Sequence, residues 1–160
     1  MSSSPVKYGV VGLVRVSTTA PFHSPPLTLR LPGQGIMGTP IARNLMKLGH
    51  PVVVWNRSLE KCAPLLAEGA TQGNTPAEVV AQCDITFAML SDPEAAEAVA
   101  LGPGGVVEAL TPGKGYVDMS TVDADTSRRI AAAVQAKGGR FLEAPVSGSK
   151  QPAIGALVHA

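Results

Sequence analysis

The chain has 160 residues, of which 45% are hydrophobic and 16% are charged. The length fits one domain, and the composition excludes disorder driven by charge, since average proteins carry about 25% charged residues. The net charge of +1 hides an asymmetry, because residues 1–59 carry six bases and no acid. These bases are spaced along the chain without interleaved aromatic residues, so we expect no nucleic-acid partner.

Two segments compete for the first β-strand. Residues 7–12 form an apolar run, whereas residues 27–31 alternate Leu with Thr and Arg. A central parallel strand is apolar on both faces, and Arg30 would have to be buried there, which favours residues 7–11. The stretch rich in Pro, Ser and Thr that follows is far longer than the usual two to six residues of a βα loop.

From about residue 35 onward, short apolar runs alternate with segments of helical period. Continuous apolar runs are typical of strands that are covered on both faces. The alternation predicts βαβ units on a doubly wound parallel sheet, an α/β fold of the Rossmann type. The predicted strands are residues 52–55, 85–90, 116–119 and 140–144.

The helices between these strands have readable ends. In the first, Ile41, Leu45 and Leu48 share one face, and we expect the helix to start after Gly38 and to stop at Gly49. A last helix is predicted over about residues 124–137, with two apolar side chains facing inward. An alternative role for Asp123 is to cap this last helix. The other capping signals are Ser58 and two capping boxes, at residues 75–78 and 91–94, and Ser91 belongs to the second box.

Cysteine and histidine residues predict no metal site. Cys62 and Cys83 are far apart and form no CxxC pair, which fits reduced structural thiols. His23, His50 and His159 have no partners at ligand spacing. We also expect no membrane-spanning helix, because no apolar run approaches about 18 residues.

Residues 33–38 match the dinucleotide-binding pattern G-x-G-x-x-G. Its glycines allow a tight turn, close approach of the backbone to a pyrophosphate and close packing of helix and strand, with the phosphates at a helix N-terminus. The match alone is weak in a chain with 17 glycines. The helix that follows and the strand that ends at Trp55 strengthen it.

The residues after the second strand indicate which dinucleotide binds. An NAD site places Asp or Glu there, about 20 residues past the glycines, to hold the ribose 2′-hydroxyl. This chain has Asn56, Arg57 and Ser58 instead. A guanidinium fork and a hydroxyl suit a 2′-phosphate, so we predict NADP(H). The alternatives are that Arg57 is a solvated surface base and that Ser58 is only a helix cap.

Five ordered segments of the chain resemble the β-hydroxyacid dehydrogenase family, most strongly its plant reductases of glyoxylate and succinic semialdehyde. The resemblance covers residues 6–13 and 35 to about 155. It implies a Rossmann domain followed by an all-helical domain, and NADPH-dependent reduction of the aldehyde group of a small acid. The segments are residues 35–38, 54–58, 88–93, 118–123 and 144–150.

The resemblance also implies the site residues. Thr121 matches a residue near the nicotinamide and the substrate, and Ser147 matches the residue that holds the substrate carboxylate together with the amides of Gly148 and Ser149. The alternative for Ser147 is a purely structural role in a turn. The cofactor-binding residues implied are Gly12, Gly35, Ile36, Met37, Gly38, Asn56, Arg57, Ser58, Met89, Leu90, Ser91 and Thr121.

The first departure from the family lies in the glycine-rich turn. Joining Leu13 directly to Gly35 would restore the family's Gly-Leu-Gly-Ile-Met-Gly, so we predict that residues 14–34 are an inserted, disordered, Pro-rich loop. Every codon of Val14 starts with GT, and a codon of Gln34 ends in AG. We therefore hypothesise a retained in-frame intron, which a genomic locus without splice sites at those points would disprove.

The second departure is that the chain stops at Ala160, before the helix that carries the family's Lys proton donor. We expect one NADP-binding domain over residues 1–160, with the all-helical domain missing and little turnover. The alternatives are an NADP(H)-binding module without catalysis, or an interaction fragment that self-associates through the exposed domain face. We expect a cytosolic protein; because its Ser-rich start superficially resembles a transit peptide, plastid or mitochondrion is the alternative.

Overall fold

A six-stranded parallel sheet forms the centre of the structure, a computed structural model that describes residues 7–11 and 35–146. The strands are β1 (Tyr8–Val11), β2 (Val52–Trp55), β3 (Thr71–Gln72), β4 (Ile85–Ala88), β5 (Gly115–Asp118) and β6 (Arg140–Glu143). They lie in the order β3-β2-β1-β4-β5-β6. Every pairing among these described strands is parallel, which confirms the predicted Rossmann-type α/β fold.

Helices cover both faces of the sheet. The α-helices are α1 (Gly35–Lys47), α2 (Ala63–Ala67), α3 (Pro76–Gln82), α4 (Pro93–Leu101) and α5 (Ala124–Ala136), with 3₁₀ turns at Leu59–Cys62 and Val106–Glu108. Val10 packs with Ala42 of α1 and Leu65 of α2, whereas Val11 packs with Val79 of α3. Because neighbouring strand residues point to opposite faces, α1 and α2 lie on one face and α3 on the other. No helix of the described ranges is long and apolar enough to cross a membrane.

The first strand occupies the central position of the sheet. Val10 lies opposite Val54 of β2 on one side and Phe87 of β4 on the other. The prediction that residues 7–11 form this strand is therefore confirmed. Several predictions lie outside the described residues: the competing strand at residues 27–31, the inserted loop at residues 14–34 and the predicted cofactor residue Gly12.

The first helix differs from its prediction at both ends. It begins at Gly35, so the glycine segment forms its first turn instead of preceding it. It ends at Lys47, and Leu48 beyond it is 73% exposed. The prediction that Leu48 shares a helix face with Ile41 and Leu45 is wrong, because the helix has ended and the chain turns away at Gly49, where a φ of 84° favours glycine.

Helices α3 and α5 follow their predicted signals closely. Thr75 Oγ1 accepts a hydrogen bond of 3.1 Å from the amide of Glu78, which confirms the predicted cap of α3. The Glu78 carboxylate reaches back to the amide of Asn74 instead of that of Thr75, so the box closes one residue earlier than expected. In α5, Ile130 and Val134 are fully buried as predicted.

Candidate functional site

Loops that follow the strands meet at the carboxyl edge of the sheet. The chain leaves β1 for β2 on one side and later reaches β4 on the other, so the strand order reverses beside β1. The loop after β4 is tied to the end of β1 by a hydrogen bond of 3.0 Å from the amide of Met89 to the carbonyl of Val11. Open α/β sheets bind their ligands at such reversal points.

The N-terminus of α1 lies next in the chain after β1 among the described segments and carries no acidic residue in its first turn. In contrast, α3, α4 and α5 have Glu78, Glu94 and Asp125 in their first turns, while the five-residue α2 has no acid there either. A carboxylate in the first turn offsets the positive end of the helix dipole. The start of α1 therefore keeps its positive end for an external anion, as a pyrophosphate site requires.

A cluster of three methionines joins α1 to the loops after β4 and β5. Met37, Met89 and Met119 pack against one another and are at most 9% exposed. Flexible thioether side chains fill an irregular space of this kind well. Met37 and Met89, both predicted at the cofactor, thus contribute their side chains to a small core beneath the edge.

The residues after β2 form a tight turn that leaves one cation exposed. The side-chain amide of Asn56, only 3% exposed, donates a hydrogen bond of 2.9 Å to the carbonyl of Ser58. Between them, Arg57 is exposed. Within the described chain, the Ser58 side chain accepts no capping hydrogen bond, so the predicted cap is wrong. The helix here is a 3₁₀ turn, in which the amide of Lys61 bonds to the Ser58 carbonyl.

The loop after β4 presents a hydroxyl and a carboxylate near Arg57. Asp92, not the predicted Ser91, caps α4, because its Oδ1 accepts a hydrogen bond of 2.8 Å from the amide of Ala95. Ser91 instead donates its hydroxyl proton to Asp92 Oδ2 over 2.5 Å. The Ser91 and Ala95 hydrogen bonds lower the pKa of Asp92, and the charge of Arg57 lowers it further. The carboxylate of Asp92 is therefore within electrostatic range of the Arg57 guanidinium.

The loop after β5 combines buried and exposed polar residues. Ser120 is 1% exposed, and its Oγ accepts a hydrogen bond of 2.9 Å from the amide of Leu90. The Ser120 amide donates a hydrogen bond of 2.9 Å to Asp118 Oδ1. Thr121, the next residue, is exposed at the edge. Asp123 caps α5 through the amides of residues 125 and 126, as its alternative role predicted.

The structure gathers part of the predicted site and leaves part undescribed. Arg57, Ser91 and Thr121 are exposed on loops at one edge of the sheet, next to the start of α1. Ser147, Gly148 and Ser149 lie outside the described residues, as does Gly12. Within residues 7–11 and 35–146, no group of three or more His, Cys, Asp or Glu residues could hold a metal ion.

Two polar residues of the edge were missed by sequence reasoning. The capping role of Asp92 was missed because the neighbouring Ser91 has an equal propensity to cap a helix. Asp118 stands at the end of an apolar run and begins the family segment at residues 118–123. A single acid that closes a buried parallel strand is the signal that would have drawn attention to it.

A reversal point in a parallel sheet, a positive helix end and an exposed arginine after the second strand define a dinucleotide-binding Rossmann domain. The sequence profile described as the NAD binding domain of 6-phosphogluconate dehydrogenase matches residues 29–158. The chain belongs to this family, which confirms the resemblance to the β-hydroxyacid dehydrogenases, oxidoreductases that act on CH–OH groups. The match begins at residue 29, so it includes part of the competing strand segment and omits β1.

Two relatives are similar over most of this chain. The cytokine-like nuclear factor N-PAC of Homo sapiens is 60% identical over 119 residues, which are 74% of this chain and 22% of that protein. Glyoxylate/succinic semialdehyde reductase 1 of Arabidopsis thaliana is 56% identical over 121 residues, which are 76% of this chain and 42% of that protein. The chain thus spans less than half the length of these relatives.

Solved structures share the fold. Superposition on 3-hydroxyisobutyrate dehydrogenase of Mycobacterium tuberculosis gives a TM-score of 0.76 at 24% identity, over 97% of this chain and 45% of that one. Superposition on Psf3, solved with NADP+ and 2-OPP, gives a TM-score of 0.77 at 27% identity, over 94% of this chain and 46% of that one. The domain is therefore NAD(P)-binding in type.

Proposed function

We propose that this chain provides the NADP(H)-binding site of an NADPH-dependent reductase of small aldehyde acids, with glyoxylate and succinic semialdehyde as substrates. The observation that carries the proposal is the exposed Arg57, two residues after the end of β2, where an NAD site would place a carboxylate. The 56% identity to the Arabidopsis reductase of these two aldehydes supports the substrate class. The complex of Psf3 with NADP+ supports the cofactor.

In this proposal each loop at the edge has one task. The amides at the start of α1 bind the pyrophosphate, and Arg57 with Ser58 binds the 2′-phosphate. Thr121 lies by the nicotinamide, and Ser147, with the amides of residues 148 and 149, holds the substrate carboxylate, as the family resemblance implies. When bound, the reduced nicotinamide supplies the hydride that the aldehyde carbon accepts.

We expect the 160-residue chain to bind NADPH without measurable turnover. Hydride transfer to an aldehyde leaves an alkoxide that needs a proton donor. The described loops at this edge contain neither Lys nor His. Hydrogen bonds from neighbouring hydroxyls and amides lower the pKa of Asp92 and of Asp123, so both are ionised at neutral pH and carry no proton to give.

The decay of NADPH absorbance in the presence of succinic semialdehyde measures this turnover, with the Arabidopsis relative as the positive control. Oxidation at a rate proportional to the concentration of this chain would contradict the expectation. An absence of turnover together with selective NADPH binding favours the second candidate, a cofactor-binding module without catalysis. The 60% identity to N-PAC, whose name describes a nuclear factor and not an enzyme, gives that candidate its support.

A third candidate is an interaction fragment that self-associates through an exposed face. On the sheet, Leu142 of β6 is 56% exposed, and it lines a shallow apolar depression with Ile85 and Val117. Sedimentation of the chain with and without NADPH distinguishes this candidate from the other two, since a monomer that binds the cofactor rules out the interaction fragment. A cytosolic location and the absence of nucleic-acid and membrane partners also stay predictions.

Substitution of Arg57 by Ala tests the cofactor assignment. We expect the affinity for NADPH to fall about tenfold, because one charge-assisted contact to the 2′-phosphate is lost at an exposed, screened position. The affinity for NADH should stay within about twofold, since NADH has no such phosphate. Trp55 provides the readout, because it is the single tryptophan, stands beside Arg57, and its emission overlaps the absorption of reduced nicotinamide.

Arg140→Ala is the matched control for this test. Arg140 is also exposed but begins β6, so it lies at the opposite edge of the sheet from the candidate site. Its loss removes the same charge and should leave both affinities unchanged. Equal loss of NADPH and NADH binding in Arg57→Ala, or no loss of either, would refute the assignment of NADP(H).

A further inference from the structure

We propose that Asp118 and Ser120 are positioning residues that lock together the two loops assigned to the cofactor. These are the β4–α4 loop, residues 89–92, and the β5–α5 loop, residues 119–123. The inference rests on the proposed function for the role of the loops, but its structural basis is independent. A buried hydrogen-bonded relay through these two residues holds the exposed Ser91 and Thr121 in fixed positions relative to each other.

The relay consists of two hydrogen bonds, one within the turn after β5 and one that crosses to the β4–α4 loop. Asp118 Oδ1 accepts the amide proton of Ser120 over 2.9 Å. This bond folds the chain sharply after β5 and turns the Ser120 side chain toward the neighbouring loop. Ser120 Oγ then accepts the amide proton of Leu90 over 2.9 Å, so a residue 30 positions away in sequence is held.

Because the bonded groups are buried, these hydrogen bonds fix the geometry of the two loops. Asp118 and Ser120 are 1% exposed, and Leu90 is 5% exposed. A buried amide that loses its partner cannot turn to bulk water, so the loop must shift to satisfy it. Ser91 and Thr121 each follow a bonded residue directly, and a shift of Leu90 or Ser120 therefore moves the exposed residue beside it.

The second oxygen of Asp118 makes the burial of this carboxyl group costly. Within the described chain, Asp118 Oδ2 is buried and has no hydrogen-bond partner. This burial raises the pKa of Asp118, while the bonds from Ser120 oppose the rise. The cost of burying this side chain is explained by its role, because its bonded oxygen Oδ1 holds the β5–α5 loop.

Ser120→Ala tests the relay, with Ser127→Ala as the matched control. Ser127 is 4% exposed and donates its hydroxyl proton to Glu143 of β6 over 2.7 Å, a bond that does not join the two loops. Both variants lose one buried hydroxyl and should lose similar thermal stability. We expect only Ser120→Ala to weaken NADPH binding, by about tenfold, and to remove the protection of the Leu90 amide from hydrogen exchange.

Asp118→Asn and Asp118→Leu extend the test to the first bond. The Asn variant keeps the Oδ1 acceptor and should bind NADPH within about twofold of the parent chain, whereas the Leu variant lacks the acceptor and should behave like Ser120→Ala. NADPH affinity and Leu90 exchange in Ser120→Ala that equal those of Ser127→Ala would overturn the proposal.

If the parent chain itself does not bind NADPH, the proposed function fails. The exchange of the Leu90 amide still decides the relay in that case. Selective loss of Leu90 protection in Ser120→Ala supports it, and retained protection overturns it. Because Ser120→Ala removes a single atom, it tests the relay even where Asp118→Leu does not fold.

Discussion

Replacement of Gly9 by Val is expected to lower the free energy of unfolding by about 3 kcal/mol, because it forces atoms into a filled space. Gly9 lies in the central strand β1. A Cβ atom there would lie 2.5 Å from Val79 Cγ1 and 3.1 Å from Cys83 Sγ. These atoms belong to α3 and its C-terminal end, and α3 cannot withdraw without leaving the sheet. Thermal unfolding followed by circular dichroism measures the effect, an expected fall of about 10 °C.

The same measurement separates the two segments that competed for the first strand. Leu29→Ala is the matched control, since residue 29 belongs to the alternative strand and lies outside the described residues. With β1 at Tyr8–Val11, this control should leave the melting temperature nearly unchanged. A loss of about 2–5 kcal/mol in Leu29→Ala, together with tolerance of Gly9→Val, would show that residues 27–31 form the central strand instead.

Deletion of residues 14–34 is expected to tighten NADPH binding by about a hundredfold. The deletion joins Gly12 and Leu13 to the glycine that begins α1, and so replaces a very long β1–α1 connection with one of ordinary length. Two backbone amides returned to the pyrophosphate would each contribute about 1.5 kcal/mol as charge-assisted hydrogen bonds. Titration of NADPH against Trp55 emission measures the gain.

A variant in which residues 14–34 are replaced by a Gly/Ser segment of equal length is the control for this deletion. It keeps the length of the connection and removes its sequence, and we expect no gain in affinity from it. If the deletion variant binds NADPH no more tightly than the parent chain, the segment is not an interruption of the cofactor turn. Equal gains in both variants would mean that the sequence of the segment, and not its length, obstructs the site.

Local sequence signals predicted the helices and strands well where a residue, such as a capping threonine or a glycine after a helix, has a single structural role. The turn at Gly49 that follows α1, the cap of α3 at Thr75 and the buried face of α5 were all readable, because each depends on neighbours within one or two turns. The parallel sheet followed from the alternation of apolar runs and helices. The two-residue strand β3 was not predicted, since it is too short to show any period.

Sequence reasoning failed where two candidates of equal propensity stood side by side. Ser91 and Asp92 are both good caps, and Asp92 takes the role because it has an extended backbone and directly precedes the first residue of α4. The Ser58 hydroxyl makes no cap because the segment after it winds as a 3₁₀ turn. Leu48 fits the helical period but lies beyond the end of α1. Each choice depended on backbone geometry that propensities do not specify.

The class of fold, the family and the candidate arginine at the cofactor came from the order of residues, because periodicity, caps and glycine patterns are local properties. Two matters belonged to the tertiary structure. One is how closely α3 packs on the central strand, which depends on the close approach of Gly9 to Val79. The other is how the loops are held, which depends on the bond between Leu90 and Ser120. Both are contacts between distant parts of the chain, and no local pattern encodes a contact that exists only after the sheet has formed.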